Sequence, residues 1–514
     1  MARWPIVYIF RPLANLNIVK SRNPDLSNSH LSRHLGLLGL ASTGICSMLG
    51  ASIYVVPFMI QRNVPGIGPH VLPAFFLAAV PAILAAFAYS ILASAMPRAG
   101  GSYIYASRGL HPYLGFVASF SQWFGLSIAI GVIAYVIIPF FRDIATALDM
   151  PLLAAMLNRG IVRVTLALLL LWAFAYVNIR GVKSYERTVV PLMFLMFGLG
   201  AVVIVAGFMF DHQDFQNALP PGTTLPDKMN EGGIFTFFAA AAILFSSFIG
   251  FDSIAQAGGE AKNPTSSLPK AIAIAVLGVG GFYFLFTAAV YHAVPWQFIA
   301  QQAAIQDITA AGMLGYLLPN GWALLIVAGA AIALLNDLPA MVLSVSRLMF
   351  AWAEDGIFPK PISKINARHH TPVNAIIGSG AMASIGILGS HFAGDFFLGI
   401  DIMVTSMLVN FLLMCATVIA LPGHNPTLAN EVKVITNRKW QVAIAVAGIV
   451  MLTGFLTIHV YKDLASGAGQ WYFHSTPVWA IVMAAASVVY FKEHKALKKQ
   501  GVDIKRRFMQ LPEE

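Results

Sequence analysis

Charged side chains are scarce in this sequence of 514 residues: Asp, Glu, Lys and Arg make up 11%, against 58% hydrophobic residues. A soluble globular domain carries about 25% charged residues, because charge keeps its surface hydrated. The scarcity therefore excludes an ordinary soluble enzyme. The formal net charge of +10 does not indicate nucleic-acid binding, since such proteins gather their basic residues on a folded polar face, and here long apolar runs separate them.

Cysteine is also scarce. The only two, Cys46 and Cys415, lie inside apolar runs, so the sequence predicts no disulfide framework. It also lacks a cluster of metal ligands, a nucleophile paired with a base, a Walker loop and a dinucleotide-binding fingerprint. These absences argue against an enzyme, against ATP-driven transport and against any cofactor other than a coupling ion.

What the sequence does contain is apolar runs, each near the ~20 residues that a helix needs to cross a bilayer core about 30 Å thick. The period-2 alternation of an outer-membrane barrel is absent. We therefore predict an all-α integral membrane protein, embedded in a lipid bilayer, with twelve transmembrane helices. The predicted spans are approximately 35–60, 71–95, 113–140, 161–178, 188–210, 233–257, 270–292, 321–350, 373–392, 396–421, 440–461 and 476–492.

The placement of basic residues predicts the orientation. If the N-terminus is cytoplasmic, the inner segments hold 26 of the 32 Lys and Arg residues. This asymmetry is the positive-inside signature. We expect a multi-pass protein of the cytoplasmic (plasma) membrane with both termini in the cytoplasm. The six basic residues on the outer side are Arg62, Arg142, Arg159, Arg163, Lys228 and Lys462.

Small residues interrupt two spans near the middle of the membrane. In the first span the interruption surrounds Gly50, and in the sixth span, 200 residues later, it surrounds Gly250. Paired interruptions at corresponding positions are typical of transporters whose two broken helices meet at a binding site. The alternative is that these small residues only permit close helix packing.

The motifs around these interruptions resemble those of the amino acid-polyamine-organocation (APC) superfamily of transporters. They follow one another in the order that the superfamily shows, over about residues 40 to 375. The matching stretches are 49–54 with Pro57, 97–105, 114–116, 248–252, 259–264 with Leu268 and Pro269, Ser346 with Arg347, 354–359 and 371–373.

The resemblance implies an inverted five-helix repeat with helices 1 and 6 broken, followed by two extra C-terminal helices. It also implies transport by alternating access. The corresponding regions are a cytoplasmic N-terminal tail at 1–34, the first repeat at 35–210, an outer loop at 211–232, the second repeat at 233–421, helices 11 and 12 at 440–492, and a cytoplasmic tail at 493–514.

The resemblance also implies a site at the two breaks. Backbone N–H groups of Gly50, Ala51 and Ser52 would hold a substrate carboxylate. Backbone carbonyls of Met48, Ser246 and Ile249, beside Gly250, would hold its amine. Helix electrostatics agrees with this assignment. The N-terminus of a half-helix offers free N–H donors and partial positive charge, and its C-terminus offers free carbonyl acceptors and partial negative charge.

Two acidic residues near the centre of spans are candidates for gating and coupling, because a central Asp costs about 2.5–3.5 kcal/mol on insertion scales. Asp252 follows the second break, where it either gates or caps the inner half-helix. Asp337 and the adjacent Asn336, close to Pro339, are the candidates for coupling. Asp337 is expected to bind a sodium ion together with Ser47 and nearby backbone, or to exchange a proton. The alternative is an Asp that only hydrogen bonds to Asn336 or to a freed backbone N–H.

A lid over the substrate is the least determined part of the predicted site. Counting from the 354–359 motif puts Met341 where some relatives place an aromatic lid. Phe245, Phe248 and Phe251 are the other candidates for lining the pocket, although phenylalanines at helical spacing in a span are more often packing residues.

The predicted function is that of a secondary active permease that moves amino acids, coupled to a cation or working by exchange. We expect a monomer or weak homodimer. A transporter of polyamines or other organic cations is the first alternative. A subunit of a proton-translocating complex would need a chain of buried ionisable groups, and a channel would need a continuous polar pore; neither is seen. The absence of a second acid near the breaks favours neutral amino acids, while Asp252 keeps cationic ones open.

Overall fold

The computed structural model of the chain describes residues 31–50, 52–221, 231–306, 308–393, 396–465 and 470–512. Most of the predicted N-terminal tail, the middle of the predicted outer loop at 211–232 and the last two residues of the C-terminal tail therefore lie outside the described residues. Ala51 lies outside them as well, and the side chain of Ser52 is not described.

The described residues form α-helices joined by turns and short 3-10 segments, and no sheet. The helices are α1 Leu37–Met48, α2 Ser52–Asn63, α3 Val71–Ala95, α4 Gly101–Gly109, α5 Pro112–Ala147, α6 Pro151–Leu157, α7 Gly160–Ile179, α8 Val182–Met209, α9 His212–Ala218, α10 Ile234–Leu244, α11 Ser253–Gln256, α12 Pro264–Ala293, α13 Trp296–Ile305, α14 Ala310–Leu314, α15 Asn320–Glu354, α16 Val373–Ala393, α17 Phe396–His424, α18 Pro426–Asn430, α19 Arg438–Ala465, α20 Ser475–Lys499 and α21 Ile504–Met509.

Twelve helical spans in the described part of the chain are long and apolar enough to cross a membrane. The predicted number and the all-α fold class are thereby confirmed. The first span consists of α1 and α2, and the sixth consists of α10, a 3-10 turn and α11. The other ten are α3, α5, α7, α8, α12, α15, α16, α17, α19 and α20. The inverted relation of the two five-helix blocks and the boundaries of the predicted regions stay predictions.

Proline explains where several of these helices begin. Pro112, Pro151 and Pro264 each occupy the first helical position, where a missing N–H costs nothing and the ring already holds a helical φ angle. The longest helix, α5, packs against α15, α16 and α17. The broken spans are mostly buried by other helices, since α1 packs chiefly on α12, α15 and α8, and α10 on α3 and α19. Irregular backbone in a membrane requires such protection from lipid.

Two connections differ in detail from the sequence prediction. The single surface helix predicted over 297–318 is present as two shorter helices, α13 and α14. Thr309 separates them by capping α14, because its hydroxyl accepts from the Gly312 N–H. The predicted outer loop begins with a helix, α9, because Asp211 and Asp214 form a capping box at its N-terminus.

Candidate functional site

The first break separates α1 from α2. Helix α1 ends at Met48, and Leu49 closes it by donating its N–H to the Ile45 carbonyl at 2.8 Å. Helix α2 begins at Ser52. Gly50, between the helices, is predicted to offer its backbone N–H to a carboxylate; so is Ala51, which the structure does not describe.

The second break lies between α10 and α11. A 3-10 turn over Phe245–Phe248 is followed by Ile249 in an extended conformation and then by Gly250 at φ +131°. L side chains rarely adopt that φ value. A Cβ at position 250 would also collide with the Ser47 carbonyl oxygen. The two breaks therefore touch at Gly250 and Ser47, and the hydroxyls of Ser47 and Ser253 lie 3.1 Å apart.

A cavity of about 50 Å³ lies between the breaks. Its volume suffices for a few water molecules, so an amino acid requires it to widen. Most of its walls are apolar. The lining residues are Ser47, Met48, Gly50, Val56, Ile133, Ser246, Ile249, Leu334, Asp337, Met341, Ile400 and Met403. The cavity thus brings together most of the residues predicted for substrate and ion.

Asp337 contributes a carboxyl group to this cavity from the middle of α15. Its side chain is buried, and its Oδ1 has no hydrogen-bond partner among the described residues. Neighbouring Asn336 is also buried, and its amide donates to Cys46 Sγ at 2.9 Å and to the Val189 carbonyl at 3.3 Å. A buried carboxyl oxygen without a donor is unfavourable unless the group holds a proton or faces a cation.

Asp252 is the second predicted acid, and it does not line the cavity. Its Oδ1 accepts the Gly250 N–H at 3.1 Å, and its Oδ2 accepts from Gln122 on α5. It precedes α11 at the cap position but makes no side-chain capping bond to that helix. Asp252 therefore braces the backbone of the second break.

A buried hydrogen-bond network extends from Gln122 to α3 and α17. Gln256 donates to Gln122 Oε1 at 3.2 Å and to the Ser102 hydroxyl at 2.8 Å. Tyr89 lies 2.6 Å from that hydroxyl and accepts from Asn410 at 2.7 Å. The network links the second break to neighbouring helices, so movement of the break disturbs all of them.

Several residues at the breaks were not singled out from the sequence. Tyr283 on α12 donates to the Met48 carbonyl, one of the predicted amine acceptors, which keeps a second lone pair. Gln122, Tyr89 and Asn410 support Asp252 from distant segments. No local pattern marks them, because isolated polar residues are scattered through these apolar helices.

The predicted phenylalanine lining is not part of this cavity. The Phe245 ring packs on Phe411, with ring centroids 6.1 Å apart, and on Phe455. The rings of Phe248 and Phe251 also pack among aromatic side chains, chiefly Phe75 and Tyr283 for Phe248, and Phe411 and Tyr89 for Phe251. Met341 does line the cavity, and a lid role for any of them stays a prediction.

Two buried ion pairs close the end of the bundle that carries α4. Arg347 pairs with Glu260, and Arg108 Nη2 lies 2.8 Å from Asp355 Oδ1. Burial lowers the pKa of Arg108, but the neighbouring Asp355 and Tyr103 outweigh burial and raise that pKa above its ordinary value. The guanidinium is therefore charged and its pair is complete.

Comparison with known proteins places the chain in a family. A family described as "Amino acid permease" matches residues 35–491. The branched-chain amino acid permease BcaP of Bacillus subtilis (strain 168) is 26% identical over 83% of this chain and 88% of its own length. The cationic amino acid transporter 4 of Homo sapiens is 28% identical over 74% of this chain. The methylthioribose transporter of Bacillus subtilis (strain 168) is 23% identical over 91% of this chain and 95% of its own length.

The coverage differs among these relatives. The chain spans 59% of the length of the human cationic amino acid transporter. The family match, by contrast, includes both breaks and eleven whole spans. The twelve spans, the two interrupted helices and this match agree with the resemblance seen in the sequence: the chain belongs to the amino acid permease family of the APC superfamily, and it is a multi-pass membrane transporter and not an enzyme.

Proposed function

We propose that the protein carries a neutral amino acid with an apolar side chain across the plasma membrane by alternating access, with both termini in the cytoplasm. The cavity between the two breaks carries this proposal, because it joins the ends of the broken helices to an apolar wall. The positive-inside distribution of Lys and Arg supports the orientation.

The broken helices suit the two charged ends of an amino acid. The backbone N–H groups of Gly50, Ala51 and Ser52 are the proposed carboxylate site. The carbonyls of Met48, Ser246 and Ile249 are the proposed amine site. Opposite partial charges at the two helix ends recognise a zwitterion without a buried ionic side chain.

The apolar wall argues for an apolar substrate side chain. Val56, Leu334 and Met403 line the cavity, and burial of a Val- or Leu-sized group against such a wall contributes about 1.5–3 kcal/mol. Both carboxyl oxygens of Asp252 already accept hydrogen bonds, one from Gln122 and one from the Gly250 N–H. The carboxyl group is therefore not available to a cationic side chain. The branched-chain permease among the relatives is consistent with this choice.

A cationic substrate is the second candidate, and one observation favours it. Asp337 lines the same cavity, and its carboxyl group, with Oδ1 unpartnered among the described residues, would attract an ammonium group of a cationic amino acid, a polyamine or another organic cation. The cationic amino acid transporters among the relatives are consistent with this alternative.

We assign coupling to Asp337. A sodium ion would be held there by the carboxylate together with Ser47 and backbone oxygens of residues 46–49, since sodium prefers oxygen ligands. A proton on Oδ1 would satisfy the same carboxyl group. In either case the cation neutralises a charge that is costly in the membrane centre.

Purified protein in liposomes tests the proposal with labelled leucine, lysine and spermidine, each with and without a sodium or a pH gradient. We expect saturable leucine uptake that is accelerated by leucine on the opposite side and enhanced by one of the gradients. Preferred uptake of lysine or spermidine would support the cationic alternative. Non-saturable flux without counterflow would contradict a carrier.

A further inference from the structure

A second and larger cavity, of about 680 Å³, lies at the end of the bundle that carries α4. It is lined by the start of α5, the ends of α17 and α20, and the C-terminal helix α21. Its lining residues are His111, Pro112, Tyr113, Gly423, His424, Tyr490, Phe491, His494, Lys498, Ile504, Lys505, Phe508 and Met509. This basic cavity is far along the chain from the breaks and has no part in the proposed transport site.

The polar side chains that line the basic cavity are those of histidine, lysine and tyrosine. Three histidines and two lysines face it, and none of its described lining residues is acidic. His111 Nδ1 accepts the Tyr113 N–H at 3.2 Å, which leaves its proton on Nε2. His494 Nδ1 is buried and has no hydrogen-bond partner among the described residues. The two lysines therefore offer positive charge to an anion, and the histidine and tyrosine side chains offer further hydrogen-bond donors.

One wall of the basic cavity is aromatic. The Tyr113 ring stacks on the Phe491 ring at 5.0 Å and lies 5.2 Å from the Tyr490 ring. Tyr490 in turn stacks on His494 at 5.5 Å. Phe491 is 49% exposed on the transmembrane helix α20. Apolar chains of a ligand that are anchored in the cavity can thus lie along this wall toward the bilayer.

Helix α21 forms one side of the basic cavity, and residues outside the cavity lining also hold it in place. Phe508 is buried, and the Arg108 guanidinium lies 5.2 Å from its ring. Arg108 Nε donates to the Gln510 carbonyl at 3.2 Å, and Asn425 donates to the Met509 carbonyl at 3.1 Å. A ligand in the cavity therefore bridges the C-terminal segment and three transmembrane helices.

We propose that the basic cavity binds the phosphate of an anionic phospholipid, with the headgroup among His111, His494, Lys498 and Lys505 and the acyl chains along the Tyr113 and Phe491 wall. Basic pockets between helix ends at the membrane surface suit anionic headgroups. The aromatic wall favours a lipid over free phosphate, which has no apolar part to place there. The lipid also holds α21 in position.

Native mass spectrometry of the purified full-length protein tests the proposal by titration with phosphatidylglycerol and with phosphatidylcholine. We expect phosphatidylglycerol to bind more tightly than phosphatidylcholine. In a separate thermal unfolding measurement, it should also raise the melting temperature of the protein more than phosphatidylcholine does. The double variant Lys498→Gln with Lys505→Gln should lose about thirtyfold in affinity, since each lysine near an anionic headgroup contributes about fivefold and the two effects multiply. Both lysines are exposed, so the variant is expected to fold.

The matched control replaces two exposed lysines outside the basic cavity, Lys360→Gln with Lys439→Gln. It should bind phosphatidylglycerol as the unmodified protein does. Equal binding of the two lipids, or equal loss in both double variants, would overturn the proposal. Inorganic phosphate at millimolar concentration should compete weakly; stabilisation by phosphate alone that matches phosphatidylglycerol would overturn the lipid assignment in favour of the free anion.

Discussion

The carboxyl group of Asp337 lies against the backbone of Gly50, so closely that a Cβ at position 50 would stand 2.5 Å from Asp337 Oδ2. The Gly50→Ala variant therefore forces this carboxyl out of the cavity or moves the first break. We expect uptake to fall about tenfold or more, because a misplacement of about 1 Å in a precise site has effects of this size or larger. Initial uptake rates in liposomes measure it.

Gly278→Ala is the control for that variant. Gly278 lies in α12, and a Cβ there meets no atom within 4 Å. Alanine in an exposed helix position is favourable by about 0.5–1 kcal/mol over glycine, so uptake and stability should be retained. If both variants transported alike, the close approach of Gly50 to Asp337 would have no functional meaning.

Asp337→Asn tests coupling. The amide cannot carry the negative charge that a sodium ion needs, and it cannot exchange a proton in the accessible pH range. We expect uptake driven by a gradient to approach the rate seen without one, while substrate exchange persists. The measurement compares uptake with and without sodium and across pH 5 to 8. Unchanged sodium and pH dependence would refute the coupling role.

Asp252→Asn separates bracing of the break from substrate recognition. An asparagine has one acceptor oxygen where the carboxylate has two, so either the Gly250 N–H or Gln122 loses its acceptor. We expect a loss of about 1–3 kcal/mol in the free energy of unfolding and an unchanged ratio of leucine to lysine uptake. Gln122→Met should destabilise the protein by a similar amount. A selective loss of lysine uptake in Asp252→Asn would show that Asp252 binds the substrate.

Arg108→Gln tests the buried ion pair at the α4 end. Removal of one partner leaves Asp355 buried without its counter-charge, and such a change costs about 3–5 kcal/mol. The exposed pair of Arg142 and Asp143, whose side chains are 36% and 46% exposed, is the matched control. Arg142→Gln should cost at most about 1 kcal/mol. Unfolding titrations in detergent compare them, and equal losses would contradict the role of burial.

The twelve spans and the two breaks are determined by the sequence alone. Whether a segment spans the bilayer depends on the summed hydropathy of about twenty consecutive residues. This sum can be taken without knowing which other helices pack against the segment. The interruptions at Gly50 and Gly250 are equally local, because glycine weakens a helix whatever its neighbours are. The positions of Asp252 and Asp337 within spans were also visible, since any carboxylate in an apolar run is conspicuous.

Only the tertiary structure decided which partners these residues have. Gln122 reaches Asp252 across 130 residues, Tyr283 reaches Met48 across 235, and Arg108 reaches the Gln510 carbonyl across 402. Side-chain contacts at such separations depend on how helices rotate and pack, and periodicity within one helix carries no such information. For the same reason the sequence could not show that the Phe251 ring packs on Phe411 of α17 and the Phe248 ring on Phe75 of α3, or that Asp337 on α15 lines the cavity.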